Sequence, residues 1–274
     1  MAESIIQIKK SRTEKEPELH ETMKKNITDY YRYFAPIETI QKVSIATLNN
    51  QNLKTHKDKS KEFVRVTRRP IGTQQIDERI RELEEKLPGS VAEKKEEYYK
   101  HLEEGLSKLA TETRIVHFNI KPENIIYDES QHCPVIKDFG EAFVLEDLHN
   151  DENMRNIFKE PLPENVPMEA KIIASIVKHP NWKTRQVKKG ELEEQMLKNF
   201  RDDSQYEKNE PSIMTDKWVT YIRSLKQGTG NAMVNKLLEH WNTWDIGSLQ
   251  RVFETNPNHK PGQSYLKNET NSKN

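Results

Sequence analysis

The stretch IVHFNIKPENIIYDESQHCPVIKDFGEAF, residues 115–143, sets three short apolar runs between polar turns. Ile115-Val116, Ile125-Ile126-Tyr127 and Val135-Ile136 are each bounded by polar or turn-forming residues, a pattern that predicts short strands rather than helix. His117, Asn119, Lys121 and Asn124 fall in the turn after the first run, and Asp138-Phe139-Gly140 follows the third. A strand–turn–strand connection through Asp128–Pro134 would bring Asn124 and Asp138 near each other. An amide oxygen and a carboxylate suit Mg²⁺, a hard cation that shares itself with substrate phosphates. Lys121 adds a point charge where a transferring phosphoryl group needs one. Gly140 gives the backbone freedom to swing just after a metal-binding aspartate.

Upstream of this stretch the pattern changes period. Ile76, Ile80, Leu83 and Leu87 form one stripe of an amphipathic helix, which Pro88-Gly89 stops. Ser90, three residues before Glu93, reads as a capping box opening a second helix marked by Val91, Tyr98, Leu102, Leu106 and Leu109. The lysines and glutamates between those positions read as a wet face. Nearer the N-terminus, Val43, Ile45 and Thr47 alternate as a strand does, and FVRVT at 63–67 alternates again before Arg68-Arg69-Pro70. The polar run 49–61 reads as a solvated loop. Residues 1–25 show no sustained period and read as a loosely held arm. Downstream, 168–177 predicts a helix, and 178–232 is a charged region with one amphipathic piece at Leu192, Met196, Leu197 and Phe200. The last apolar segment is 233–253, and the tail KNETNSKN has little to bury.

Composition narrows the function classes. Of 274 residues, 33% are hydrophobic and 32% are charged, against about 25% charged in an average globular chain. Lys+Arg and Asp+Glu both number 44, and that balance argues against a protein held on nucleic acid by counterion release. IIASIV at 172–177 is far shorter than the ~20 apolar residues of a membrane span. No signal-peptide pattern opens the sequence, and a single cysteine, Cys133, allows no internal disulfide. These readings point to an intracellular, cytoplasmic protein. The nine histidines show no ligand spacing, and Gly228-Thr229-Gly230 reads as a connector.

Residues 117–140 resemble the protein kinase superfamily, whose catalytic loop reads H-R-D-L-K-P-E-N and whose metal motif is D-F-G. HFNIKPEN matches at His117, Lys121, Pro122, Glu123 and Asn124, and DFG matches at 138–140. The form is also similar to kinase-like proteins of large cytoplasmic DNA viruses, iridovirus-like ones in particular, which would place the protein in host cytoplasm. The resemblance implies ATP and Mg²⁺ as cofactors. Asn124 and Asp138 would hold the metal, Lys121 would neutralise the γ-phosphate, and His117, Phe139 and Gly140 would support the site. PMEAKII (167–173) looks like the family's A-P-E region, with Glu169 in the glutamate's place. Asp245, in WDIGSL, corresponds either to the family's aspartate that holds the catalytic-loop backbone or to an ordinary helix-surface carboxylate.

Two departures bear on activity. Asn119 stands where kinases place the aspartate that takes the substrate hydroxyl proton, and an amide has no basic lone pair for that task near neutral pH. Losing a general base costs about 10²–10⁴-fold in rate. No G-x-G-x-x-G loop precedes the motifs, since the only glycine before residue 89 is Gly72. The V-A-I-K-like strand falls nearest VSIAT (43–47), with Ala46 at the lysine position and Lys42 or Lys54 as substitutes. The expected architecture is α+β: a reduced two-lobe kinase-like fold, with an N-terminal arm and small strand-containing lobe over 1–66. A mainly helical lobe, charged insertion included, would occupy 67–274. Two functions remain in view: Ser/Thr-type phosphoryl transfer weakened by Asn119, or an inactive pseudokinase that binds a protein partner.

Overall fold

The computed structural model describes residues 5–10, 15–35, 37–43, 63–68, 74–163, 165–202, 220–221 and 228–253. The chain is α+β, and it divides into two compact units, residues 1–143 and 144–274. Ile45 and Thr47, the 49–61 run with Lys54, Arg69 to Gly72, residues 203–219 and the C-terminal tail lie outside the described residues.

The first unit opens with strand β1 (Ile5–Lys10), helix α1 (Glu16–Asn26), a single turn α2 (Tyr30–Tyr33), and strands β2 (Ile37–Val43) and β3 (Phe63–Arg68). These strands form an antiparallel sheet in the order β1-β3-β2. Ile5 and Ile37 both stand opposite Arg68, while Lys10 and Val43 both stand opposite Phe63. β1 and β2 are therefore parallel to each other, the arrangement that requires a crossover such as α1.

The described residues of the segment 1–25 thus form a strand and a helix rather than a loose arm. The physical reason lies in α1, whose buried face carries Glu16, Leu19, His20 and Met23. Two of those four side chains are polar, so the helical period is invisible to a count of apolar residues. Of the strand expected at 43–47, Val43 ends β2 (Ile37–Val43), and the rest lies outside the described residues.

Two helices follow where the stripes predict them, except that Leu87, the last member of the first stripe, caps the helix and is 57% exposed. In α3 (Ile76–Lys86), Ile76, Ile80 and Leu83 are buried. In α4 (Val91–Thr113), Val91, Tyr98, Leu102, Leu106 and Leu109 are buried. The capping box is one helix earlier than expected. The Gln75 N–H donates to Glu78 Oε2 at 3.2 Å, whereas the Ser90 hydroxyl turns back to Leu87 O at 3.2 Å.

Next come β4 (Ile115–Val116), β5 (Ile125–Asp128) and β6 (Cys133–Ile136). β5 and β6 form an antiparallel ladder from Ile125↔Ile136 to Asp128↔Cys133. Asp128 fixes the turn by accepting from Ser130 N and Oγ (2.9 and 2.6 Å) and from Gln131 Nε2 (2.7 Å). Burial alone would raise its pKa, yet these hydrogen bonds outweigh it and hold the carboxyl below its ordinary value. Neither edge of the hairpin is bare: Ala35 N donates to Ile136 O at 2.8 Å, and Tyr127 N donates to Gln74 O at 2.9 Å. Ala35, Ile126 and Val135 pack together there.

β7 (Phe143–Val144) is the segment at which the two units divide. The second unit holds α5 (Asp151–Ile157), α6 (Met168–Val177), β8 (Gln186–Val187), α7 (Lys189–Asp202), β9 (Gly228–Thr229), α8 (Gly230–Leu238) and α9 (Trp244–Phe253). α6 is its core, with nine of its ten residues buried. Gly228-Thr229-Gly230 pairs with β8 and starts α8. A Cβ on Gly230 would come within 2.0 Å of the Trp182 carbonyl oxygen, so only glycine fits. Among the described residues, no helix is long and apolar enough to cross a membrane.

Gly105 supplies a test of packing in the first unit. Mid-helix glycine costs about 0.5–1 kcal/mol relative to alanine, but a Cβ here would meet Tyr33 Cβ at 2.8 Å and Cδ1 at 2.9 Å. Tyr33 has no room to give: it is 1% exposed, and its hydroxyl donates to Glu104 at 2.7 Å. Gly105→Ala should therefore lower stability by about 1–2 kcal/mol despite the gain in helix propensity, read as a reduced urea midpoint; a raised midpoint would contradict the packing.

Candidate functional site

The motif residues come together through backbone bonds rather than through sequence proximity. At the end of the β5–β6 ladder, Lys137 N donates to Asn124 O at 2.9 Å. His117 Nε2 then reaches Lys137 O at 3.1 Å. Asp138, the next residue, is thereby held beside the loop that carries Asn119, Lys121 and Asn124.

The loop is fixed from inside. His117 is fully buried, and its Nδ1 accepts the Asn119 N–H at 3.3 Å. Nε2 must donate and Nδ1 must accept, which only a neutral imidazole with its proton on Nε2 can do. Pro122–Asn124 forms one tight turn closed by Asn124 N donating to Lys121 O at 2.9 Å. Asn124 is 4% exposed, and its Nδ2 donates to Asn119 O at 2.9 Å. That bond sets the orientation of the amide and turns its Oδ1, a metal-type donor, away from Asn119. Phe118, at the position between His117 and Asn119, adopts φ 63° and packs edge-on against Phe143 with centroids 5.3 Å apart.

Asp138 also lies in the left-handed region, at φ 69°. Such a conformation costs a non-glycine residue about 1–2 kcal/mol, so the surroundings must hold it. Gly140 N donates back to Asp138 Oδ1 at 3.3 Å. Phe139 is 1% exposed and packs against the His117 ring, 4.5 Å between centroids. Its N–H donates to Glu16 Oε1 at 3.0 Å. Glu16, from α1, is a site residue that the sequence reading missed, because it lay in the segment read as an arm. The one available signal was the spacing Glu16, Leu19, His20, Met23, Ile27, a helical stripe only if the polar members count.

The donor set fits a hard divalent cation in part. The Asn124 amide oxygen and the half-buried Asp138 carboxylate are the oxygen-type ligands such an ion prefers. Among the described residues, no group of three or more His, Cys, Asp or Glu could hold a metal ion. Asn119 and Lys121 are both partly exposed beside these groups.

The two remaining candidates belong to the second unit. Asp245, at 9% exposure, is buried rather than on a helix surface. Glu169 is 3% exposed at the first turn of α6, and its Oε2 has no hydrogen-bond partner. Arg251 donates instead to the carbonyls of Asn165 (3.3 Å) and Val166 (3.2 Å), and the Ser248 hydroxyl joins it on Asn165 O at 2.6 Å.

No family model matches the chain, and no curated protein does.

Burial pushes the Glu169 carboxyl up to about 7, against an ordinary 4.5, with the Arg251 charge only partly opposing it. Between those values the unfolded chain loses its proton while the folded chain keeps it, so stability falls as pH rises. The loss should reach on the order of 3 kcal/mol by pH ~8. Glu169→Gln should flatten that decline and exceed the wild type at the upper end, measured by urea unfolding at several pH values. Parallel profiles would contradict the buried acid.

Proposed function

We propose that this chain is a divergent protein-kinase-like phosphotransferase that binds ATP with Mg²⁺ and transfers phosphate to serine or threonine of a protein. One observation carries the reading: the Asn124 carbonyl and the His117 ring both hold Lys137, so the loop and the Asp138-Phe139-Gly140 turn form a single backbone-bonded structure. Phosphoryl transfer depends on positioning and charge neutralisation more than on covalent chemistry by the protein. In this reading Asn124 and Asp138 would hold the ion, which would supply charge neutralisation to the phosphates, and Lys121 would meet the γ-phosphate. Asn119 orients the attacking hydroxyl without removing its proton.

The N-terminal segment supports the same reading: α1 follows strand β1, and its Glu16 carboxylate accepts the Phe139 N–H next to Asp138.

Asn119 favours a second reading, in which the same loop and turn serve a pseudokinase that engages a protein partner. Thermal unfolding with MgATP and transfer from labelled ATP separate the two. Ligand at about 100 Kd should stabilise the wild type by roughly 2.7 kcal/mol, and Asp138→Ala should abolish the shift. Asn119→Asp should raise labelled transfer by about 10- to 10⁴-fold. A shift without transfer in any variant would leave the scaffold. No shift and no transfer would remove nucleotide chemistry altogether.

A further inference from the structure

The face of α1 that meets the Asp138 turn is polar where an apolar face would cost less. Glu16, His20 and Tyr30 are 1%, 1% and 3% exposed, inside a cluster that otherwise contains Phe34, Phe139 and the His117 ring. Buried polar groups are retained at a cost unless each meets a partner. Here the partners form a chain that is hydrogen-bonded at both ends and joined in the middle by a close contact alone. The Tyr30 hydroxyl is hydrogen-bonded to His20 Nδ1. His20 Nε2 stands 3.9 Å from Glu16 Oε1, one helical turn away, a contact of packing beyond hydrogen-bond reach. That same Oε1 accepts the Phe139 N–H at 3.0 Å. The ring contacts repeat the path: His20 meets Phe139 edge-on at 5.0 Å and 73°, and Tyr30 meets His20 at 5.9 Å and 87°. On its other sides the Phe139 ring is held by His117 at 4.5 Å and Phe34 at 5.7 Å.

The main-chain amide served by this chain belongs to the residue directly after Asp138, whose φ of 69° must be held from outside. We propose that Tyr30 and His20 are positioning residues: they orient the Glu16 carboxylate so that it grips the Phe139 amide and keeps Asp138 turned toward the 117–124 loop. This inference rests on the reading of Asp138 as a ligand only for its effect on nucleotide binding; the grip on Phe139 stands apart from it.

Amide hydrogen exchange in the full chain tests the grip directly. Tyr30→Phe keeps the ring and removes the hydroxyl, and it should speed exchange at Phe139 by about tenfold relative to the Leu106 and Leu109 amides of α4. His20→Leu should do the same, whereas His20→Gln, which keeps a polar atom for Tyr30, should stay within about threefold of wild type. Unchanged Phe139 exchange in Tyr30→Phe and His20→Leu, or acceleration equal across the unit, would overturn the positioning role. MgATP affinity measured on the same variants should fall with Phe139 protection. A wild type that does not bind MgATP would reject the nucleotide reading alone, because the exchange comparison still decides whether the chain positions the turn.

Discussion

The pairing of Ile125–Asp128 with Cys133–Ile136 is the constraint on which the candidate site depends. Twelve residues separate Asn124 from Lys137 along the chain, and the ladder between them closes that distance to one 2.9 Å hydrogen bond. The Asp128 turn sets the register, and the flanking backbone of Ala35 and Gln74 covers both edges. A slip of one residue would turn every side chain of the hairpin to its opposite face and separate the loop from the turn. His117 then adds a second tie, since its ring needs Lys137 O on one nitrogen and the Asn119 N–H on the other.

With the hairpin fixed, two strained residues become intelligible. Phe118 and Asp138 both adopt left-handed backbone, one on each side of the site. Strain of this kind persists only where surroundings over-determine it. For Phe118 the restraint is burial against Phe143; for Asp138 it is the clamp on Phe139 from His117 and Glu16. Local cost at the turn is thus offset in part by α1, far away in sequence.

The sequence disclosed the elements with a clean period and hid those without one. Ile76, Ile80 and Leu83 announce α3, and Val91 to Leu109 announce α4, because their buried faces are apolar. The three short runs of residues 115–136 were equally legible, being bounded by turn residues. α1 was not legible, since Glu16 and His20 occupy half of its buried stripe. The start of β2 at Ile37 was not legible, because Ile37–Val43 alternates less regularly than Val43, Ile45 and Thr47. Ser90 looked like a capping residue, yet its hydroxyl bonds backward to Leu87, and only geometry could decide that. Of the site, the residues on the loop and turn were visible as a motif. Glu16 was invisible because its role is defined by a main-chain amide 123 residues away.

The central claim is that the Asn124 amide oxygen and the Asp138 carboxylate hold one divalent ion between them. Substituting Mn²⁺ for Mg²⁺ with ATP and recording nuclear spin relaxation of each backbone amide measures this most directly. The account predicts strong paramagnetic broadening centred on residues 119–124 and 138–140, lost in Asp138→Ala. Broadening absent from both segments, or centred on one and not the other, would contradict it.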